Sequence, residues 1–187
     1  MTNELHEFLS FYLPNSDLMP FVDSFVFKTV KKTKFYITPG RYSDTIAFIQ
    51  KGSFRVYFID AKGRENTTWF SFQGMVITDM LAFYTGERAS FYAQALEDSE
   101  LHEISKQQLE NLYKAYPEYR EFGRKFAEEA LTMLMQRTLS LQIDSAEKRY
   151  RQLLQQPEFM QKIPLKYLAS YLGITDTSLS RLRRKIR

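Results

Sequence analysis

From Phe25 to Ser105 the chain repeats short runs of aromatic and β-branched residues broken by turn formers, and this pattern restricts the fold more than any other feature of the sequence. Phe54, Val56 and Phe58 alternate with Arg55, Tyr57 and Ile59, the two-residue period of a strand, although the second face is only partly polar. Asp60-Ala61-Lys62-Gly63 supplies a turn, after which Thr67, Thr68, Trp69 and Phe70 resume strand character. Gly40, Gly52 and Gly63 fall at 12- and 11-residue spacing, as in a sandwich or barrel built from successive hairpins. Phe91, Ala93 and Ala95 mark a later strand, and Leu101-His102-Glu103-Ile104 the last. The pattern predicts an antiparallel β-roll of jelly-roll type.

At Ser105 the period changes to that of a helix. Ser105 with Gln108 has the form of a capping box, in which the hydroxyl accepts a first-turn N–H and the amide reaches back. Pro117 interrupts this helix, and a longer one is predicted from Glu118 to Ile143. Within it Ala127, Leu131, Leu134, Thr138 and Leu141 are spaced four, three, four and three residues apart, the alternation of a coiled-coil seam; a parallel homodimer is favoured over a helix packed on its own barrel, which would give the same stripe. Asp144 with Glu147 repeats the capping logic and predicts a hinge and a new helix. That helix would bury Ala146, Tyr150, Leu153 and Leu154, and Gln155-Gln156-Pro157 would end it. The predicted organisation is α+β: a β-roll over 1–117, a long helix suited to dimerisation over 118–143 and a further helical domain over 144–187.

The last stretch, "LASYLGITDTSLSRLRRK", is the most informative. Pro164 sits where a first-turn proline is tolerated, and Leu165, Leu168, Ala169 and Leu172 form one apolar face. Gly173 suits a left-handed cap, Ile174 can fill the angle between helices, and Thr175 is a good N-cap for a second helix. In that helix Leu179, Leu182 and Ile186 point inward, while Thr177, Arg181 and Arg184 point outward beside Asp176, Ser178, Ser180 and Arg183. A polar, cationic helix face is what insertion into a DNA major groove requires. Arginine can present two parallel donors to guanine, and short hydroxyl side chains can hold phosphate. Charge points the same way: residues 162–187 hold seven lysines and arginines against Asp176, a net +6 beside +4 for the whole chain.

With these elements in order, the chain resembles the Crp/Fnr family of transcription regulators over essentially its whole length. The likeness is carried by "KGSFRVYFIDAKGRENT", "ALEDSELHEIS" and above all "IPLKYLASYLGITDTSLSRLRRKI". It implies base contacts from Asp176, Thr177 and Arg181, with Ser178, Ser180, Arg183 and Arg184 left as phosphate contacts. It also implies homodimerisation through the long helix, double-stranded DNA as partner, RNA polymerase as a further partner and a small-molecule effector. Asp176 stands where well-known members carry arginine, so their operator does not transfer.

The ligand stretch, "FQGMVITDMLAFYTGERASFYAQA", departs further. Cyclic-nucleotide binders of the family carry Gly-Glu-Leu and then Arg-Ser or Arg-Thr. Here Gly74 is followed by Met75 and Val76, and Ala89 precedes Ser90, with Arg88 one residue early. A one-residue slip in a strand reverses the face of a side chain. Gly74, Asp79, Arg88 and Ser90 are therefore candidates for an effector pocket that does not take cyclic AMP, Asp79 being read as a solvent-facing loop residue. Trp69, Phe70, Phe72, Phe83, Tyr84, Phe91 and Tyr92 are read as core before pocket lining.

Other classes are disfavoured. There is no cysteine, so thiol, disulfide and iron-sulfur chemistry are excluded. The two histidines, His6 and His102, lie far apart, which argues against a jelly-roll metalloenzyme, and no nucleophile or phosphate-loop motif occurs. The expectation is a non-enzyme without a metal site and with its effector unspecified. The N-terminal segment lacks a basic signal-peptide start, and no apolar run reaches spanning length, so a cytoplasmic protein is expected. The alternatives are a cyclic-nucleotide-responsive regulator and a protein-interaction module that docks its basic helix on an acidic partner.

Overall fold

The structure is a computed structural model that describes residues 3–186; Arg187, counted above with the basic segment, lies outside the described residues. It is α+β, with eight strands among the described residues in two four-stranded sheets, helices before and after the strand region and one short helix within it. β1 (Val26–Val30), β3 (Thr45–Lys51), β6 (Val76–Ile77) and β8 (Ser99–Ser105) form one sheet in the order β1-β8-β3-β6. β2 (Phe35–Ile37), β4 (Ser53–Ile59), β5 (Glu65–Phe72) and β7 (Tyr92–Ala95) form the other in the order β2-β7-β4-β5. Phe91, expected within a strand, lies just before β7. In β4 the residues Ser53 to Tyr57 are buried on both faces, so the half-polar second face is internal and Arg55 is 1% exposed.

The chain divides into two compact units, residues 1–56 with 70–129 and residues 57–69 with 130–187. In the first, α1 (Asn3–Tyr12) and α2 (Met19–Asp23) bring Leu5, Leu9 and Phe21 into one core with Phe48 of β3 and Ile104 of β8. α4 (Lys106–Ala115) begins with the expected box: the Gln108 N–H donates to Ser105 Oγ at 3.2 Å, and Gln108 Oε1 accepts from the Ser105 N–H at 3.0 Å. Leu109 and Leu112 point from α4 into the same core. A 3₁₀ turn at Pro117–Tyr119 then delays the long helix, α5, to Arg120–Ile143.

α3 (Met80–Thr85) corrects one expectation. Asp79 is fully buried, not solvent-facing. Its Oδ1 accepts the Ala82 N–H at 3.0 Å, which caps α3, and its Oδ2 accepts the Ser90 N–H at 3.2 Å. Two backbone donors thus satisfy the buried carboxylate, as burial of a charge requires.

In the second unit α6 (Ala146–Leu153), α7 (Pro157–Lys162), α8 (Leu165–Leu172) and α9 (Asp176–Ile186) follow α5. The cap of α6 is Ser145, whose hydroxyl accepts the Lys148 N–H at 3.2 Å; the expected cap, Asp144, is drawn instead into an ion pair with Lys148 Nζ at 2.6 Å. Tyr150 and Leu153 are buried as expected, but Ala146 is half-buried and Leu154, the residue closing α6, is exposed. No helix among the described residues is long and apolar enough to cross a membrane, and none of their His, Asp and Glu side chains form a group of three able to hold a metal ion.

Two outcomes test these assignments. Gly52 sits at φ +111°, and an added Cβ would lie 2.1 Å from Ser99 Oγ and 2.9 Å from Ser99 Cα. Gly52→Ala should therefore destabilise the protein by more than about 1 kcal/mol, read as a lower urea midpoint at unchanged slope. Asp79→Ala should cost about 1–2 kcal/mol by the same measurement, because it removes a helix cap and leaves the Ser90 N–H without its acceptor.

Candidate nucleic-acid interface

The geometry of α8 and α9 follows from local chemistry. Pro164, with extended ψ of 141°, is the N-cap of α8, one position earlier than expected. Leu168, Ala169, Tyr171 and Leu172 are buried, whereas Leu165 at the free first turn is exposed. Gly173 ends the helix at φ +70°, where a side chain would be strained; its N–H reaches Ser170 O at 3.0 Å and the Ile174 N–H reaches Ala169 O at 3.1 Å. Thr175 then caps α9, its Oγ1 accepting the Ser178 N–H at 3.2 Å. The chain reverses between two helices within three residues, Gly173 to Thr175.

α9 buries Leu179 almost completely and Leu182 and Ile186 in part. Asp176, Thr177, Ser178, Ser180, Arg181 and Arg184 are all exposed. Arg183 is half-buried, since four residues carry it only about 40° around the helix from Leu179. None of Arg181, Arg183 and Arg184 makes a hydrogen bond or ion pair among the described residues. Lys185 differs: its Nζ pairs with Glu147 of α6 at 2.8 Å, which ties the end of α9 back to its own unit. That bond and the Arg151 pair at 2.9 Å hold the Glu147 carboxyl below its ordinary pKa, the Lys185 hydrogen bond being the larger cause.

Sequence reasoning missed two supports of this face. Ser170 accepts the Thr67 N–H at 2.9 Å and donates to Glu65 O at 3.2 Å, fastening α8 to β5 within the same unit. Arg149 donates to the carbonyls of Ser140 at 3.2 Å, of Asp144, and of Leu172 at 2.9 Å, so one guanidinium closes the ends of α5 and α8. The Ser170 bonds and the Arg149 bond to Leu172 join residues distant in sequence, and no local pattern signals them.

On α5 the seam residues Leu131, Leu134, Thr138 and Leu141 are exposed on the single chain, with Leu131 at 58% and Leu134 at 61%, while Ala127 is half-buried. In the roll the four pocket candidates do not converge. Asp79 and Ser90 meet through their hydrogen bond, whereas Gly74 lies in an exposed turn, its N–H on Ile49 O at 2.9 Å. Arg88 is exposed, donates to Gly40 O at 2.7 Å and lies 4.9 Å from the Tyr42 ring centroid, while its neighbour Ala89 is buried. Of the aromatic set, Phe70, Phe72 and Phe83 are core, Trp69, Phe91 and Tyr92 are half-buried and Tyr84 is exposed.

Residues 27–116 match the cyclic nucleotide-binding domain family. No curated protein sequence matches the chain significantly. Among solved structures, a CooA mutant from Carboxydothermus hydrogenoformans is 19% identical with a TM-score of 0.70, over 95% of this chain and 83% of that one. FixK2 from Bradyrhizobium japonicum is 18% identical with a TM-score of 0.73, over 87% and 84%. A protein assigned to the Crp/Fnr family of transcriptional regulators from Eubacterium rectale is 16% identical with a TM-score of 0.68, over 99% and 83%. At these identities the likeness is one of fold. Residues 27–116 are thus similar to a cyclic nucleotide-binding domain, and the chain shares the fold of these solved structures, one of them described as a Crp/Fnr-family transcriptional regulator.

Proposed function

We propose that the chain is a homodimeric, sequence-specific DNA-binding transcription regulator of the Crp/Fnr type, with α8 and α9 as its helix-turn-helix and α9 as the recognition helix. The observation that carries this reading is the outer face of α9, on which Arg181 and Arg184 are exposed and have no intramolecular partner among the described residues. Desolvated guanidinium groups need acceptors, and a major groove offers guanine O6 and N7 along with phosphate oxygens. Asp176, Thr177 and Arg181 are assigned to base edges. Ser178, Ser180, Arg183 and Arg184 are assigned to the backbone, where they set register without reading sequence. The exposed seam on α5 is assigned to a second copy of the chain, which places two recognition helices on two-fold related half-sites.

The β-roll is assigned a sensing role with an effector other than cyclic AMP. Arg88 is occupied by the Gly40 carbonyl and the Tyr42 ring at the surface, Ala89 is the buried neighbour, and Met75 supplies no carboxylate for a ribose. The reading assigns no catalysis. RNA polymerase is the further partner that the regulator reading entails.

Duplex DNA binding should weaken steeply as salt rises, because each neutralised phosphate releases counterions. Arg181→Ala should cost about 1–3 kcal/mol at one base pair of the selected site and relax preference there, measured by fluorescence anisotropy on a panel of single-substituted duplexes. An equal loss on every duplex would demote Arg181 to a phosphate contact. Leu134→Glu should weaken the dimer at least about tenfold in sedimentation equilibrium, roughly 1.4 kcal/mol, with the circular dichroism of the wild type. A dimer of unchanged affinity would place the interface elsewhere.

A further inference from the structure

We propose that the second unit holds a ligand site of its own: a cleft of about 610 Å³ where α5 meets α6, built to take a small amphipathic anion, an apolar or aromatic body bearing a sulfonate, carboxylate or phosphate group. The inference is independent of the DNA-binding reading. Trp69, Met133, Leu139 and Ile143 supply apolar wall, and Ile143 is 76% exposed on the single chain. Arg137 and Arg149 supply charge to the same cleft.

These two arginines are satisfied by geometry but not by charge. The Arg137 guanidinium lies 3.7 Å from the Tyr171 ring centroid and donates to the Tyr171 carbonyl. Arg149 donates only to carbonyls, those of Ser140, Asp144 and Leu172. Each keeps a buried Nε–H with no acceptor among the described residues. Asp144 is the only acid lining the cleft, and Lys148 already holds its carboxylate at 2.6 Å. The cleft therefore carries three cations, Arg137, Lys148 and Arg149, against the one carboxylate of Asp144, and desolvation, with the Arg149 charge as a lesser cause, lowers the pKa of Arg137. A carboxylate of the protein would ordinarily compensate such an excess; here an anionic ligand does so.

The seam on α5 does not close the cleft. The α5 residues that line it centre about 160° round the helix from the seam, and Leu141, the seam residue nearest them, lies about 40° from Arg137, so a second chain can occupy one face while the ligand occupies the other. An occupant would touch α5, α6 and α8, the elements that carry α9.

Trp69 is the only tryptophan of the chain and reports on the cleft directly. The test titrates the full chain with anilinonaphthalene sulfonate and, separately, with phenyl-naphthylamine, the same ring system without the anionic group. Saturable quenching of Trp69 by the sulfonate, at least about tenfold tighter than by the neutral probe, is expected. Arg137→Gln should weaken the sulfonate about tenfold and leave the neutral probe unchanged, while Arg137→Lys, which keeps the charge, stays within about threefold of wild type. Equal affinity for the two probes, or sulfonate binding that leaves Trp69 emission unaltered, overturns the proposal. Both readings come from the unaltered protein, so they hold even where Arg137→Gln fails to fold.

Discussion

The structure depends on how Phe122 is held. The side chain is 2% exposed, and its ring lies 5.1 Å from Phe21, 5.3 Å from Tyr12 and 5.8 Å from Phe126, mostly edge to face. Tyr119 stacks on Phe21 at 4.9 Å and donates to the Asp17 carbonyl, and Lys125 donates to Tyr12 O at 3.0 Å. Aromatic pairs of this kind add about 0.5–1.5 kcal/mol each beyond burial. The first turns of α5 are thereby fixed in the core of the roll, together with α1 and α2. Beyond Glu129 the helix belongs to the second unit, and there Leu131, Leu134 and Leu141 are exposed.

What could be read from the sequence was what local chemistry decides. Gly173 and Thr175 are each the residue that a left-handed cap and an N-cap demand, and the two helices they separate lie where the 3.6-residue period put them. The misreadings have non-local causes. Asp144 and Ser145 can both cap α6, and the choice falls to Ser145 because Lys148 and Ser140 both bind the Asp144 carboxylate. Asp79 was expected in solvent because carboxylates usually are, and nothing near it in sequence announces the Ser90 amide 11 residues on. Leu154 and Leu165 fit the apolar stripes but sit at the ends of short helices, where no neighbouring element covers them. Arg55 looked like the polar face of a strand that has no polar face.

The candidate effector residues show the same division. Their spacing established that Arg88 is out of step, and the structure supplies the rest: the side chain binds the Gly40 carbonyl while Ala89 faces inward. Gly74, Asp79 and Ser90 were grouped by proximity in one stretch, yet only Asp79 and Ser90 meet, and their contact is spent on holding α3. On the proposed reading a ligand in the roll is recognised by groups other than an arginine at that step, so ligand chemistry does not transfer along with the fold.

Arginine is the residue type on which position in sequence says least and partner says most. Arg124 bridges Glu121 and Glu128 on the surface of α5, an ordinary helix ion-pair triplet. Arg149 spends its donors on three helix-end carbonyls and so fixes the joint between α5, α6 and α8. Arg137 leans on Tyr171 with its charge uncompensated. Arg181 and Arg184 touch none of these. Folding uses the first kind completely and leaves nothing for a ligand to gain; Arg149 is held by three carbonyls, yet its buried Nε–H has no acceptor among the described residues. The last two kinds retain unsatisfied capacity, buried in one case and solvated in the other, and on the two readings proposed above it is there that an anion, a small molecule at Arg137 or a nucleic acid at Arg181 and Arg184, gains free energy on binding.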